Sequence, residues 1–289
     1  MIPKPGASLS DPAGWRYIAL MSAAAKLYDK LLHGRLAPIS PHLRWNQNGF
    51  RHARGTAQHI LALRMLYDEI RTHKNTSACF TFIDYSNAFP SVSWTAIVAA
   101  LEAFHVPPIL ITAIMSLYHD HSATVNTPDG PTDPFTPTAG VLQGDTLAPF
   151  LFIVVLDCIL TLCLPLGVGI TITPATRTPT QRGYLPQVTL SDLDYADDIV
   201  LCFPTTSDTQ PYLTLLEAHS NAAGLFLNIK KTKYIVLGQH PMPHHLTIHS
   251  GPLECVTDYK YLGVYFDTAK DKSCILGGVS GHGGPVGGR

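Results

Sequence analysis

Two adjacent acidic residues between two apolar runs constrain this chain more than any other feature. Asp197 and Asp198 lie after Leu193 and before the apolar run 199–203, a pattern that predicts a β-hairpin with both carboxylates at its tip. Neighbouring side chains on a strand point to opposite faces, so a turn must rotate the two acids before they can share one task. Their mutual repulsion would be relieved by a hard cation such as Mg²⁺. The alternative is an ordinary turn, because Asp is a common turn former.

A second acid follows a strongly apolar segment. The run 79–83 predicts a strand that is buried on both faces, and Asp84 comes directly after it. A charge at the end of such a strand commonly marks a site, since it could not be tolerated further inside. Asp84 is therefore the second candidate site residue.

The charges are divided unevenly along the chain. Nine Lys or Arg residues and three acids lie between Lys26 and Lys74, a balance of +6, whereas the remainder carries a balance of −7. A basic segment suits a polyanion and an acidic one suits metal. The hydrophobic content of 46% excludes a disordered chain and is ample for a buried core.

One apolar stretch, 147–164, resembles a membrane span. Asp157 interrupts it at the middle, and a charge there is costly in a bilayer. We therefore predict a buried core helix and no membrane. The six cysteines are widely spaced without a C-x-x-C pair, which predicts buried thiols in a reducing compartment, and no signal segment is recognisable at the N-terminus.

Hydrophobic periodicity predicts the other elements. Trp15–Arg35 reads as a helix that Gly34 ends, with Tyr28 and Leu31 on its buried face and Asp29 outside. Further helices are predicted over 56–73, 94–104, 108–118 and 211–225, a hairpin over 123–138, and strands over 234–237 and 259–266, while 40–54 reads as a polar loop.

Several segments, in this order, resemble the reverse transcriptases of non-LTR (LINE-like) retrotransposons. The run 82–89 is similar to the first catalytic motif of that family, 140–149 to its glutamine–glycine motif, and 195–198 to its second catalytic motif. The runs 227–233 and 261–263 are similar to the two motifs that follow, and 16–20 and 48–51 to fingers motifs. The likeness extends over about residues 2 to 266.

The resemblance implies an RNA-directed DNA polymerase that uses two Mg²⁺ ions, or Mn²⁺ in their place. Asp84 and Asp197 are expected to bridge the ions, and the Tyr85 carbonyl to complete one shell. Asp198 is expected nearer the primer end, in support. The substrates implied are an RNA template, a DNA primer and deoxynucleoside triphosphates; no partner protein can be deduced.

Further site residues come from the family pattern, each with a plain structural alternative. Nucleotide contacts are expected from Lys4, Arg16, Phe89, Gln143 and Gly144. The alternatives are surface charges for the two cations, a core aromatic for Phe89 and a loop-bracing amide for Gln143. Phe89 matches the residue that would clash with a ribose 2′-hydroxyl. Template or primer contacts are expected from Arg51, Arg54, Lys230, Lys231, Lys233, Leu262 and Gly263, although a solvated basic face would also explain the lysines.

The implied architecture is an α+β right-hand polymerase fold, with fingers and an antiparallel palm sheet backed by helices. We expect fingers over 1–77, truncated at the N-terminus, and a palm over 78–266 with an inserted fingers portion around 95–139. The run 267–289 reads as a Gly-rich, disordered tail, with the thumb missing or truncated. The cellular location is unknown from sequence; an intracellular protein is expected, and a nuclear one if the chain is part of a retrotransposon.

Two alternatives stay open. One is a catalytically silent remnant that still binds nucleic acid; truncated ends and departures such as Pro90, where the family usually has Asp, favour it. The other is an RNA-templated RNA polymerase with a similar palm. The intact Asp84, Asp197 and Asp198 argue against the first, and Phe89 argues against the second.

Overall fold

The computed structural model describes residues 2–3, 8, 14–72, 76–119, 122–127, 130–142, 144–172, 188–238 and 245–268. Within these ranges the helices are α1 (Ala23–Leu36), α2 (Thr56–Thr72), α3 (Ala88–Ser91), α4 (Trp94–Ala103), α5 (Pro108–Met115), α6 (Ala148–Cys163) and α7 (Thr206–Ala222). A 3₁₀ helix, Ala37–His42, continues α1.

The strands, several of them only two residues long, follow in chain order. They are β1 (Ile2–Pro3), β2 (Trp15–Arg16), β3 (Ser77–Ile83), β4 (Tyr85–Ser86), β5 (Asn126–Thr127), β6 (Gly130–Pro131), β7 (Ile170–Ile172), β8 (Val188–Leu190), β9 (Asp192–Tyr195), β10 (Asp198–Phe203), β11 (Phe226–Leu227), β12 (Lys233–Gly238), β13 (Thr247–Ile248), β14 (Gly251–Pro252), β15 (Glu254–Cys255), β16 (Asp258–Tyr261) and β17 (Val264–Asp267).

A five-stranded sheet in the order β15-β12-β3-β10-β9 forms the centre of the molecule. Strand β3 lies in the middle and pairs antiparallel with both β10 and β12. The pairing of β15 with β12 is parallel, so the predicted antiparallel sheet holds for four of the five strands. The mixed helix-and-sheet architecture agrees with the predicted α+β class.

Both faces of β3 are buried, as predicted. Cys79 and Ile83 face a core that contains the buried side chains of α6, whereas Phe80 and Phe82 belong to a second core with the apolar face of α2. Tyr67 of α2 stacks on Phe80 with ring centroids 4.7 Å apart. This alternation follows from the two-residue period of a strand and gives a sheet covered on both sides.

Helix α6 is the buried core helix predicted from the apolar run. Its side chains are buried almost all round, including Asp157, whose Oδ1 accepts the Arg44 backbone N–H at 2.7 Å. None of the helices in the described ranges is long and apolar enough to cross a membrane. Burial raises the pKa of Asp157 to about 6, and the contacts with Arg44 oppose that rise.

The first helix differs from its prediction. Trp15–Arg16 pairs with Ile2–Pro3 as a strand, and α1 begins only after Ser22, whose Oγ accepts the Ala25 N–H at 3.2 Å. Gly34 lies inside α1 and does not end it. The predicted buried face, which also included Leu32, was only partly right: Leu32 is buried, whereas Tyr28 and Leu31 are exposed and Asp29 is buried. Asp29 is tolerated inside because its Oδ2 accepts both the backbone N–H and the hydroxyl of Thr146.

Three smaller predictions need correction. Helix α7 begins at Thr206, with Thr205 as its cap, so Pro211 lies inside the helix and not at its start. Cys255 is exposed, because β15 is a short strand at the edge of the sheet, so not every thiol is buried. Part of the predicted 40–54 loop extends the sheet: the Asn48 N–H donates to the Asp194 carbonyl at 2.8 Å, beside β9.

The division into fingers and palm stays a prediction. In the segment 95–139 that the sequence assigns to a fingers insertion, the structure has most of α4, all of α5 and the β5–β6 hairpin. Asp267 belongs to strand β17, and the remainder of the predicted tail, 269–289, lies outside the described residues.

Candidate active site

The end of strand β3 and the turn of the β9–β10 hairpin meet at one end of the sheet. Ile83 and Ile199 are partners across the antiparallel β3–β10 pair. Asp84 directly follows β3, Asp198 begins β10 next to Ile199, and Asp197 precedes Asp198 in the turn. The structure thus brings together the three acids that the sequence analysis singled out, and it confirms the predicted hairpin.

The turn itself rotates the two adjacent acids. Tyr195 and Asp198 are partners, so Ala196 and Asp197 form a two-residue turn, with Ala196 at φ 56° in the left-handed region. Asp197 is half-buried and Asp198 is exposed. The neighbouring carboxylates therefore occupy different environments, although they are adjacent in sequence.

Repulsion within the cluster favours binding of a cation. Loss of hydration and the negative charge of Asp84 raise the pKa of Asp197, and Lys231 lowers it. Loss of hydration and the charges of Asp197 and Asp84 raise the pKa of Asp198 to about 6. Both groups would ionise more readily if positive charge were placed between them.

Lys231 is the one of the three predicted lysines that reaches the cluster. Its Nζ lies 3.5 Å from Asp84 Oδ1, while 66% of its side chain stays exposed. The same turn supports the backbone of Asp84: the Asn228 N–H donates to the Asp84 carbonyl at 2.8 Å, and the Asp84 N–H donates to Thr232 Oγ1 at 3.2 Å. The run 227–233 thus has a structural role that its basic character did not indicate.

Tyr85 follows Asp84 directly, and its side chain turns into the core. Its side chain is buried, and its hydroxyl shares a hydrogen bond of 2.8 Å with Ser220 Oγ on α7. Strand β4, which contains Tyr85, pairs with β11, and this pairing fixes the backbone just after Asp84. The side chain is therefore engaged in the core, and the carbonyl is the predicted ligand.

The residues predicted to contact the nucleotide are only partly described. Phe89 is half-buried and stacks on Phe152 of α6, with ring centroids 4.5 Å apart. Gly144 has φ 125°, and a Cβ on it would lie 2.9 Å from the Ala19 carbonyl oxygen, so the loop after Val141 packs tightly on the segment before α1. Lys4, Gln143 and the side chain of Arg16 lie outside the described residues.

The basic residues of the 40–54 loop are engaged within the chain. Arg51 donates to the carbonyls of Arg44, Gln47 and Ser40 at 2.9, 2.9 and 2.7 Å. Arg54 is more exposed and donates to the Trp45 carbonyl at 2.7 Å. Each arginine therefore has a structural role beside the predicted contact with nucleic acid.

The other predicted template or primer residues lie on two turns. Lys230 is exposed, whereas Lys233 forms an ion pair with Glu254 across β12 and β15, Nζ to Oε2 2.5 Å. Leu262 and Gly263 form the turn of the β16–β17 hairpin, both with positive φ. Glycine adopts this conformation without steric cost.

The hairpin β16–β17 contacts the β9–β10 hairpin through Tyr261. Its hydroxyl is buried and lies 3.2 Å from the Leu193 carbonyl oxygen and 3.5 Å from that of Asp198. The sequence indicated a strand here and gave no sign of this contact, because the two hairpins are more than sixty residues apart.

A buried charge network behind the turn was also missed. Asp192 and Asp194 are fully buried on β9, and Arg44 binds Asp192 at 2.7 Å and approaches Asp194 at 3.7 Å. Burial and the charge of Asp192 raise the pKa of Asp194 well above its ordinary range, and Arg44 opposes this. Two acids at alternate positions beside the apolar run 199–203 were a usable signal, since they share one face of a strand and need a cation if that face is buried.

The acids of this cluster suit Mg²⁺, an ion that does not need a site made wholly of protein ligands. Across the part of the chain that the structure describes, no three His, Cys, Asp or Glu side chains are grouped as a metal site. Mg²⁺ usually takes one or two carboxylates and completes its shell with water and substrate phosphates. Asp84 and Asp197, whose charges repel each other, suit that arrangement.

The comparisons with known proteins decide the family. Residues 2–266 match the family described as "Reverse transcriptase (RNA-dependent DNA polymerase)". The chain belongs to the reverse transcriptase family. A Pol polyprotein of the type-1 retrotransposable element R2 from Nasonia vitripennis is 28% identical over 240 residues, which is 82% of this chain and 22% of that protein. The corresponding type-2 R2DM polyprotein of Drosophila melanogaster is 25% identical over 279 residues, 91% of this chain and 24% of that protein.

These relatives confirm the predicted resemblance to non-LTR retrotransposon reverse transcriptases. The chain spans about a quarter of the length of either polyprotein. The fold is similar to that of apo telomerase from Candida tropicalis, truncated from its C-terminal domain, with a TM-score of 0.57 and 12% identity over 84% of this chain and 44% of that one. A telomerase from Candida albicans, in complex with a TWJ fragment of telomeric RNA, gives a TM-score of 0.56 with 11% identity, over 84% of this chain and 37% of that one.

Proposed function

We propose that this reverse transcriptase chain adds deoxynucleotides to a DNA 3′ end, copying an RNA template. The observation that supports the proposal best is the meeting of Asp84 with Asp197 and Asp198 at one end of the sheet, in a cluster with raised carboxyl pKa values. Such a cluster of acids stabilises a positive charge, and the ends of two strands hold the acids in place.

In this proposal Asp84, Asp197 and the Tyr85 carbonyl hold two Mg²⁺ ions, with Mn²⁺ as a substitute. When bound, the ions supply activation of the primer 3′-hydroxyl and neutralisation of the leaving pyrophosphate. The side chains contribute by holding their carboxylates in place, and the turn 228–232 contributes by fixing the Asp84 backbone. Asp198 adds negative charge beside the primer end.

The remaining proposed contacts distinguish deoxynucleotides from ribonucleotides and bind the primer–template duplex. Phe89, stacked on Phe152, is the proposed gate against a ribose 2′-hydroxyl. Lys4, Arg16, Gln143 and Gly144 are proposed around the incoming triphosphate. Exposed Lys230 is the best candidate for a phosphate contact in the primer–template duplex, because Lys233, Arg51 and Arg54 have charged or polar partners inside the chain.

Primer extension tests the proposal directly. The full 289-residue chain is incubated with a DNA primer annealed to RNA, Mg²⁺ and the four deoxynucleotides, beside the variants Asp197→Ala and Asp68→Ala. Asp68 is an exposed acid on α2 and serves as the matched control for removal of a carboxylate. We expect extension by the wild type and by Asp68→Ala, and a loss of at least about a hundredfold in Asp197→Ala.

Circular dichroism should show that Asp197→Ala keeps its fold, because the substitution relieves carboxylate repulsion. If the wild type fails to extend a primer yet binds primer–template with salt-dependent affinity, the polymerase proposal is overturned. The chain would then be a binding remnant without catalysis.

A further inference from the structure

Gln47 connects residues 44–51 of the polar 40–54 loop (the 44–51 loop) to the turn of the β9–β10 hairpin. Its side chain is only 1% exposed, although glutamine is mostly found at protein surfaces. A buried amide must have hydrogen-bond partners, and those of Gln47 are in the hairpin turn and in its own loop. This glutamine is therefore a candidate for a role at the site.

The amide of Gln47 contacts both backbone polar groups of Ala196. Oε1 accepts the Ala196 N–H at 2.9 Å, and Nε2 lies 3.5 Å from the Ala196 carbonyl oxygen. Oε1 also accepts the Gly49 N–H at 2.7 Å, so one oxygen joins the loop to the turn. A single side chain thereby fixes the peptide groups on both sides of Ala196.

Gln47 is itself held at its backbone. Its N–H donates to the Arg44 carbonyl at 3.2 Å, and its carbonyl accepts from Arg51 Nη1 at 2.9 Å. On the adjoining residue, the Asn48 N–H donates to the Asp194 carbonyl at 2.8 Å. The glutamine is thus anchored to strand β9 before its side chain reaches the turn.

The turn requires such support because Ala196 has a left-handed backbone at φ 56°. Residues with a Cβ adopt this conformation rarely, and they keep it only where surrounding contacts impose it. The next residue is Asp197, so the backbone angles of Ala196 decide the direction in which that carboxylate leaves the turn.

We propose that Gln47 is a positioning residue, which holds the Ala196 peptide groups so that Asp197 faces Asp84. The inference rests on the proposed polymerase function for its kinetic consequence, but the clamp on Ala196 is a separate structural claim. A purely structural glutamine would affect folding without affecting Asp197 selectively. The two possibilities give different results in the experiment below.

Two variants remove the clamp by different routes. Gln47→Met keeps the length of the side chain and removes both polar atoms. Gln47→Asn keeps an amide but is one methylene shorter, which draws its polar atoms away from Ala196. Gln210→Met is the matched control: Gln210 Oε1 accepts the Thr247 N–H at 2.8 Å and its Nε2 donates to the Thr247 carbonyl at 2.9 Å, in the β13 region.

Two readouts are measured on all three variants. For nucleotide addition we expect kcat to fall about 10- to 100-fold in both Gln47 variants, with KM for the deoxynucleotide within about threefold of the wild type. Gln210→Met should stay within about twofold in both constants. In amide hydrogen exchange, peptides covering 195–198 should lose protection in the Gln47 variants, whereas Gln210→Met should affect only peptides around 247.

An unchanged exchange rate at Ala196 in Gln47→Met would overturn the clamp. Equal loss of protection throughout the chain, or loss of the cooperative thermal transition in both Gln47 variants, would assign Gln47 to folding and overturn the positioning role. A normal kcat in the Gln47 variants, together with lost exchange protection at 195–198, would also overturn the positioning role. If the wild type adds no nucleotide, the proposed function fails, whereas hydrogen exchange still decides whether Gln47 holds the turn.

Discussion

Gly49 approaches Ala196 so closely that a Cβ on Gly49 would lie 2.3 Å from the Ala196 backbone nitrogen. Real Cβ atoms do not come this near to a backbone atom, and a backbone atom of a hairpin turn cannot rotate away as a side chain can. Glycine is therefore required where the 44–51 loop passes the turn that carries Asp197.

Gly49→Ala should destabilise the protein and disturb the turn, because either the loop or the hairpin must move. We expect a loss of about 2 kcal/mol or more in the free energy of unfolding, measured by urea denaturation. Gly34→Ala provides the contrast. Nothing lies within 4 Å of a Cβ at Gly34 in the last turn of α1, so alanine should stabilise the chain by about 0.5–1 kcal/mol. Equal effects of the two substitutions would contradict the close approach.

Tyr261→Phe should weaken the contact between the two hairpins without creating a cavity. Removal of the hydroxyl leaves the buried Leu193 carbonyl without that donor, at an expected cost of about 1–2 kcal/mol in the free energy of unfolding. Primer extension should slow as the β9–β10 hairpin gains freedom. Tyr265→Phe on the same β16–β17 hairpin is the control, because Tyr265 is 62% exposed. An equally large loss of stability in Tyr265→Phe would contradict a specific role for the Tyr261 hydroxyl.

Asp157→Asn should stabilise the protein at neutral pH and not at acidic pH. Burial raises the pKa of Asp157 from its ordinary 3.8 to about 6, so the folded state binds this proton more tightly than the unfolded state. Stability from this group is therefore greatest below about pH 4 and is lost as the pH rises through 6.

Asparagine can still accept the Arg44 N–H and carries no charge. The shift of about two pKa units corresponds to about 3 kcal/mol at most, so we expect a gain of about 1–3 kcal/mol at pH 7.5 that vanishes near pH 4. Thermal melts over this pH range provide the measurement. Asp68→Asn, at an exposed site, should give a difference from the wild type that does not change with pH in this way.

Phe89→Ala should relax discrimination against ribonucleotides. If Phe89 is the gate, its removal should lower the ratio of kcat/KM for deoxynucleotides over ribonucleotides by about tenfold or more, measured with single nucleotides on an RNA template. Phe89→Tyr keeps the ring volume and should keep the ratio. An unchanged ratio in Phe89→Ala, with the expected loss of stability from the stack on Phe152, would leave Phe89 as an ordinary core aromatic.

The three candidate acids could be singled out from sequence because they follow simple rules. A strand that is apolar on both faces must be central, and a charge at its end has to leave the core, which identified Asp84. Two acids between apolar runs required a turn, which identified Asp197 and Asp198. The helix 148–163 could also be predicted from sequence, because the length of its apolar run and the central Asp157 are local features that do not depend on other segments.

The parts that were missed depend on partners far away in the chain. Arg44 binds Asp192 across 148 positions, and no local pattern indicates that pairing. The pattern of apolar residues on α1 was misleading. Asp29 is buried, where Thr146 supplies its hydrogen bonds, and Leu31 is exposed. The N-terminal end of the predicted helix failed for the same reason: Trp15 and Arg16 pair with Ile2 and Pro3.

The central place of β3 in the sheet also governs how the chain can fold. Both of its partner strands, β10 and β12, are synthesised long after it, so an apolar strand must leave the ribosome with two unsatisfied edges. Contacts of such long sequence separation form slowly, and unpaired apolar strands aggregate. A nascent chain cut off before Lys233 would leave one edge of β3 open, so this edge can be paired only after β12 has been synthesised.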